Sequence, residues 1–459
     1  MATHGVKRNG PPSNFFQDIK TTLDWTLRPY EFLDECSRRF GDPIKFGGEQ
    51  HTSAFYFSNP KALEQIFTAN QADFTIGAAN KFLQPLLGPN SLILLDGDRH
   101  QHQRRLVAPP LHGEQMQASG RLICDVTQRV MGQLRIDETF YVRKYMQDIS
   151  LKVIFYAIFG LEESERSQQL RRLTLAVLDA VGSTFGSSQL LIPFLQWNGG
   201  LWSPWGRFLR EKQLLDELLD AEIKTRRSSE HLDKRSDSRE IDCDILSQLI
   251  AARDEADQPM RDEEIHDEII TLLFGGHETT ASALTWALYL VHYNVNVRDR
   301  LLAELSALPP SPSIKDIIHL PYLGAVCQET LRIYPLIPIG FGRFLNRPLE
   351  VMGYCYQPGS ALFPAIYLTH RRHEIYPEPA RFMPERFLER QFSPFEYLPF
   401  GGGNRRCVGA AFAQFEMKLV IATILRNYSL SLTNFRSVRP RRRGISVAPP
   451  NNFQMILTC

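Results

Sequence analysis

Apolar residues recur at helical spacing from Asp262 to Tyr293, the longest regular pattern in the chain, and predict a single long helix there. Phe32 to Phe40 shares that spacing and stops at Gly41-Asp42-Pro43, a helix-ending sequence. Ile44 to Phe57 mixes β-branched and aromatic residues around Gly47-Gly48, which predicts a hairpin. Pro60 opens a helix through Phe67, and Phe74 to Leu95 is apolar but irregular. Helical patterns then dominate from Arg99 to Leu308, interrupted by a charged span, Arg226 to Glu240, that reads as a solvated loop. After Pro335, glycine, proline and β-branched residues return. Val351 to Tyr356 and Leu362 to Ala365 are strand candidates, and Arg443 to Pro449 with Phe453 to Leu457 reads as a closing hairpin. Helix in the middle with sheet pieces at both ends predicts a mainly α fold with small β-sheets (α+β).

Composition narrows this to an ordinary globular chain. The 459 residues are 43% hydrophobic and 22% charged, with a formal net charge of +1, which argues against a dedicated nucleic-acid binder. The cysteines, Cys36, Cys124, Cys243, Cys327, Cys355, Cys407 and Cys459, are odd in number, scattered and without a C-x-x-C pair. They suit a reducing compartment and neither a disulfide framework nor a zinc site. The start of the chain lacks the apolar core of a secretory signal. No window is long enough to span a bilayer, and Leu190 to Leu195 is broken by Pro193. A cytoplasmic monomer without a membrane anchor is expected, with residues 1–20 a flexible N-terminal segment and 21–459 the single domain.

Chemistry concentrates in a few places. Phe400 to Gly409 puts Cys407 in a glycine-rich loop that runs straight into a helix. Glycines allow close backbone approach, and loop N–H groups with a helix N-terminus are expected to lower the thiol pKa. An ordinary buried cysteine after a turn is the alternative. Gly275-Gly276-His277-Glu278-Thr279-Thr280 stands in the middle of the long helix. Two glycines there cost about 1 kcal/mol each relative to alanine, so either a ligand or a crossing helix must use the room. Glu329 and Arg332 share a helix face at i and i+3, as do His100 and Arg104 at i and i+4. Taken singly, each of these is a surface charge or ion pair.

Together, the spacing Phe-x-x-Gly-x-Arg-x-Cys-x-Gly resembles the haem-binding loop of the cytochrome P450 family. Gly-Gly-x-Glu-Thr-Thr resembles that family's oxygen-binding helix, with Gly275 where alanine is usual. The resemblance runs from about Pro29 to Pro449. It implies haem b with Cys407 as axial thiolate, and Phe400, Gly403, Gly409 and Gly275 beside the cofactor. His100, Arg104, Arg343 and Arg405 would hold its propionates. Glu329, Arg332 and Arg386 would form an ion network bracing the cysteine loop. Asn90 to His100 and Leu111 to Met116 are similar to cyanobacterial-type members associated with oxidation of fatty acids, terpenes and related lipophiles.

That resemblance implies a monooxygenase that uses O2 to hydroxylate a C–H bond of a lipophilic substrate such as a fatty acid, terpenoid or steroid. Glu278 and Thr279 would deliver protons. The chain carries no flavin or nicotinamide module, so electrons would come from an external ferredoxin or flavodoxin with an NAD(P)H-dependent reductase. Such a partner would dock over Arg405, Arg406 and Lys418. Phe74, Phe82, Leu83, Leu87, Leu272, Ile337, Phe341 and Val447 are expected to line a pocket with no anchor for a highly charged substrate. A peroxygenase or isomerase, or a haem sensor or lipophile carrier, would leave the Glu278–Thr279 pair without a task.

Overall fold

Asp262–Tyr293 forms one helix in the computed structural model, and residues 280–292 are buried on every side. A helix that is apolar all round belongs inside a protein, and the others pack around this one. The structure describes residues 23–46, 53–160, 165–182, 184–233 and 244–458. The segment expected at 1–20 lies outside them.

In chain order the main helices are α1 (Pro29–Phe40), α2 (Pro60–Thr68), α3 (Gly97–Val107), α4 (Gly120–Met131) and α5 (Val142–Phe159). These are followed by α6 (Glu165–Gly182), α7 (Thr184–Leu191), α8 (Pro204–Asp233), α9 (Asp262–Tyr293), α10 (Pro321–Ile333) and α11 (Ala410–Asn427). Helix α9 packs against α5 on one side and α11 and α10 on others, and the largest core cluster spans all four. A smaller apolar cluster joins α2 to the main sheet, and another joins α1 to Tyr367 and Val447.

The strands are short and peripheral. β1 (Ile44–Phe46), β2 (Ala54–Phe57), β3 (Phe74–Thr75), β5 (Arg343–Leu345) and β8 (Ala361–Pro364) form a sheet in the order β1-β2-β8-β5-β3. Strands β1 and β2 are the antiparallel pair expected between Ile44 and Phe57. β6 (Leu349–Val351) and β7 (Tyr354–Tyr356) make a separate hairpin.

Two sequence expectations fail. The closing hairpin is not one: β11 (Ser446–Ala448) turns back on β10 (Arg441–Arg443), with Arg441 opposite Ala448. β12 (Gln454–Leu457) instead lies between β4 (Thr139–Tyr141) and β9 (Leu430–Leu432). Nor is Arg226 the start of a loop, because α8 continues to Asp233. Arg226 Nε is 3.0 Å from Glu222 Oε1 one turn back, and its Nη1 is 2.6 Å from Asp244 Oδ2. The charge that looked solvated fastens the helix to the next one. Residues 234–240 of that span lie outside the described residues.

Candidate active site

The Cys407 loop is shaped by what it must pass. Gly401 and Gly403 adopt φ of +70° and +64°, values that favour glycine. A Cβ on Gly402 would lie 2.5 Å from the Phe67 ring, so the loop can press against α2 only without a side chain there. The Cys407 N–H donates to Phe400 O at 2.9 Å and closes the turn; Gly409 then caps α11. Burial pushes the Cys407 thiol pKa up, while the Gly409 N–H and the charges of Arg104 and Arg406 pull it down. The net shift is upward even though the Cys407 side chain is exposed to the space beside it, so the expected lowering is not seen.

Cys407 opens into a cavity of about 360 Å³ with mostly apolar walls. Of the described cysteines, it alone lines that space. One wall is the α9 face that carries Glu268, Leu272, Gly275 and Thr279. The two mid-helix glycines divide the two readings between them. A Cβ on Gly275 would meet nothing within 4 Å, whereas one on Gly276 would sit 3.1 Å from Ile154 Cδ1 on α5. Gly275 faces the cavity and Gly276 serves the helix crossing. Thr279 Oγ1 donates to Gly275 O at 2.5 Å. The neighbouring Glu278 is held by Arg143 of α5, by Gln147 Nε2 at 3.1 Å, and by Arg443 Nε at 3.4 Å.

Four of the predicted basic groups border the same cavity. His100 is 1% exposed, its Nδ1 has no partner among the described residues, and burial with Arg405 and Arg104 nearby drops its pKa to about 4. Arg343 is buried beneath the loop, gives Nη2 to Gly402 O at 3.2 Å, and lies over the Phe67 ring. Burial, with Arg405 adding repulsion, lowers its pKa to about 9. Arg405 reaches Asp96 Oδ1 at 2.7 Å and Leu92 O at 3.2 Å, and burial lowers its pKa to about 10. Burial lowers Arg104 as well.

Glu329, Arg332 and Arg386 meet in the interior. Arg332 Nε and Nη2 lie 2.6 and 2.8 Å from the two Glu329 oxygens, and Arg386 Nε is 3.1 Å from Oε1. The connection to the cysteine loop is continuous. Arg332 Nη1 donates to His370 O at 2.7 Å, the Leu398 N–H donates to His370 Nε2 at 3.0 Å, and the Gly401 N–H donates to Leu398 O at 3.0 Å.

The pocket residues sort into two groups. Phe82, Leu83, Leu272, Ile337 and Phe341 line the cavity. Phe74, Leu87 and Val447 do not: Phe74 is in β3 against the sheet core, Leu87 is wholly inside the helical core, and Val447 packs toward α1. Alternation along β11 turns Ser446 to the cavity and Val447 away. The expected docking trio also dissolves, since Arg405 points inward and Lys418 Nζ is tied to Ile318 O at 2.8 Å. Arg406 stays exposed. Sequence reasoning missed Arg143, Glu268 and Arg442, which sit outside the motifs it singled out, and Asp96, which lies inside the Asn90 to His100 stretch but is given no role there.

The Cytochrome P450 family model matches residues 10–457. The chain belongs to the cytochrome P450 family. It is 35% identical over 419 residues to a putative cytochrome P450 135B1 of Mycobacterium tuberculosis, covering 91% of this chain and 85% of the relative. It is 30% identical over 448 residues to a putative cytochrome P450 138 of Mycobacterium bovis, covering 97% and 96%. A solved structure of retinoic acid-bound cyanobacterial CYP120A1 superposes with a TM-score of 0.79 at 26% identity, over 95% of this chain and 96% of that one. This P450 is therefore an oxidoreductase, a haem-thiolate monooxygenase. Among the described residues no helix is long and apolar enough to cross a membrane.

The cavity fits the family's haem. His100, Arg104, Arg343 and Arg405 border it, Arg405 is paired with Asp96, and burial first and a neighbouring arginine second lower the pKa of Arg343 and Arg405. Such a cluster is unfavourable until anions enter, and haem brings two propionates. The unpartnered Nδ1 of a neutral His100 is free to hydrogen-bond one.

Proposed function

We propose that this P450 hydroxylates a C–H bond of a lipophilic substrate, a fatty acid, terpenoid or steroid in type, with Cys407 as the axial ligand. The observation that carries the reading is the apolar cavity shared by Cys407, Gly275 and Thr279. The retinoic acid bound to CYP120A1 supports an apolar substrate. Bound haem supplies oxygen activation, favoured by electron donation from a thiolate.

The chain's own residues supply the rest. Phe82, Leu83, Leu272, Ile337 and Phe341 bind the apolar body and exclude water. Thr279 has its hydroxyl proton committed to Gly275 O, so its oxygen lone pairs are open to a water donor in the cavity. Glu278 sits next to it and is restrained by Arg143 and Arg443, which makes it a proton carrier that must first loosen an ion pair. Arg406 is the exposed cation of the loop, over which a reduced ferredoxin or flavodoxin docks after its own NAD(P)H-dependent reductase. Free cysteines among the described residues support a cytoplasmic setting.

The test is a spectral titration of the purified ferric protein with fatty acids, terpenes and steroids. A shift from low to high spin with one class supports the reading; no response to any class overturns it. Thr279→Ala should keep substrate binding and O2 uptake while product per O2 falls several-fold. Unchanged coupling would remove Thr279 from the proton path.

A further inference from the structure

The four most exposed large apolar side chains among the described residues are Trp202, Phe194, Trp197 and Leu27, at 94, 89, 70 and 69%. Three of them stand on the loop between α7 and α8, where Ile192 is exposed as well. The loop is built rather than loose. Gln189 Nε2 donates to Leu195 O at 3.3 Å, Gln196 Nε2 to Gln189 O at 3.0 Å, and the Gly199 N–H to Ser203 Oγ at 2.9 Å. It holds apolar rings out in water, an arrangement that costs free energy until something covers them. Residues 180–206 carry no charge at all.

A basic strand lies beside this loop. Helix α7 packs against β10, and the Arg442 guanidinium of β10 lies 5.5 Å from the centre of the Trp25 ring. Trp25 belongs to a helical turn, residues 23–27, whose opposite face carries Leu23 and Leu27, both exposed. Arg436, Arg439 and Arg441 lead into β10 and are exposed, as are Arg207 and Arg210 just beyond Trp202. None of these five arginines has a carboxylate partner among the described residues. Asp24, beside Leu23, is neutralised by Arg28 at 2.9 Å. Residues 417–459 contain no Asp or Glu, while the whole chain has a formal net charge of only +1, so the positive excess is local.

We propose that this face docks on an anionic lipid bilayer, with Phe194, Trp197 and Trp202 among the headgroups and the arginines on lipid phosphates. Side chains this exposed project from the surface instead of lining a groove. Projecting tips enter a deformable bilayer, whereas a folded partner would need matching pits. Aromatic rings flanked by arginines suit the bilayer interface, and unpaired cations complement its negative surface. The contact is peripheral and holds whatever substrate the cavity takes.

The experiment floats purified holoprotein with vesicles of dioleoylphosphatidylglycerol and, separately, of dioleoylphosphatidylcholine. Binding to the anionic vesicles should be about a hundredfold tighter at low salt, and high salt should erase the difference. Phe194→Ser with Trp197→Ser and Trp202→Ser should weaken binding to the anionic vesicles by about tenfold or more. Arg436→Gln with Arg439→Gln and Arg441→Gln should remove most of the preference for phosphatidylglycerol. A normal reduced carbon monoxide spectrum in both triple variants establishes that they are folded. No flotation with phosphatidylglycerol, equal affinity for the two lipids, or full binding by the apolar triple variant overturns the membrane contact. So does a dimer in sedimentation equilibrium that the apolar variant breaks, with no vesicle binding, since the rings would then cover a second copy of this chain.

Discussion

Arg143, at the start of α5, donates to Glu278, the carboxylate beside Thr279 on α9. Arg143 is 3% exposed and Glu278 22%, so the pair is withdrawn from bulk water but open on the carboxylate side. Removing the carboxylate strands a buried guanidinium, which costs about 3 kcal/mol, the low end for such pairs because Glu278 keeps some exposure. We expect Glu278→Met, and likewise Arg143→Met, to lose about that much stability in denaturant unfolding. In the double variant Arg143→Met with Glu278→Met much of the loss should return, giving a coupling well above 1 kcal/mol. Additive losses would mean that the two charges do not depend on each other.

This pair also marks the limit of what the sequence discloses. The bounds of α9 follow from a continuous periodic pattern, and the Cys407 loop from residue types at tight spacing; both are local signals. Arg143 lies 135 positions from Glu278, in a stretch whose pattern says only that it is helical. Periodicity tells that Leu87 and Val447 are buried, but not whether a core or a cavity buries them. Sequence pattern gives β12 the wrong partner because its pairing with β4 and β9 is set by long-range packing, with no turn residues to announce it.

The glycine pair in α9 gives a clean contrast. Gly275→Ala adds a methyl where nothing lies within 4 Å, so the gain in helix propensity, about 1 kcal/mol, should appear as added stability. Gly276→Ala gains the same propensity but places Cβ 3.1 Å from Ile154 Cδ1 in a packed interior, which should cancel the gain or reverse it. Thermal unfolding of both variants checks this. A Gly276→Ala variant as stabilised as Gly275→Ala would show that α5 yields freely.

Arg332 carries the brace beneath the cysteine loop. Its guanidinium bonds both Glu329 oxygens and the carbonyls of His370 and Pro379 at 2.7 and 2.9 Å, a pattern lysine cannot reproduce. With both partners fully buried, Arg332→Lys should cost about 3–5 kcal/mol. Because the path runs through His370 and Leu398 to Gly401, the loss should also show as a lower haem-to-protein absorbance ratio. Arg386→Lys should cost less, since Glu329 keeps Arg332. Full haem content in Arg332→Lys would separate the network from the loop.

Glu268 gives a pH dependence of unusual sign. It is fully buried on α9, accepts from the Leu92 N–H and Gln103 Nε2 at 2.6 Å each through Oε1, and has no partner at Oε2 among the described residues. Burial raises its pKa to about 8. A carboxyl raised by folding contributes fully below its unfolded pKa, about 4.3, and that contribution is lost as pH rises toward the folded value. The neutral histidines work the other way: burial drops His370 to about 3 and His292 to about 4, so their contribution is lost as pH falls below their ordinary range. Comparing Glu268→Gln with the unaltered protein cancels the histidines. The amide oxygen still accepts both bonds, and its NH2 takes the place of a protonated Oε2. At pH 5 the two proteins should therefore be within about 1 kcal/mol of each other. By pH 8 the variant should be the more stable by several kcal/mol, since each pH unit between the unfolded and folded pKa values adds about 1.4 kcal/mol. Denaturant unfolding at pH 5, 6.5 and 8 measures the difference. Parallel pH profiles would mean that Glu268 ionises in the folded protein as readily as in the unfolded chain, and that its contact with Leu92 is not the clasp between α9 and the cavity wall that its burial implies.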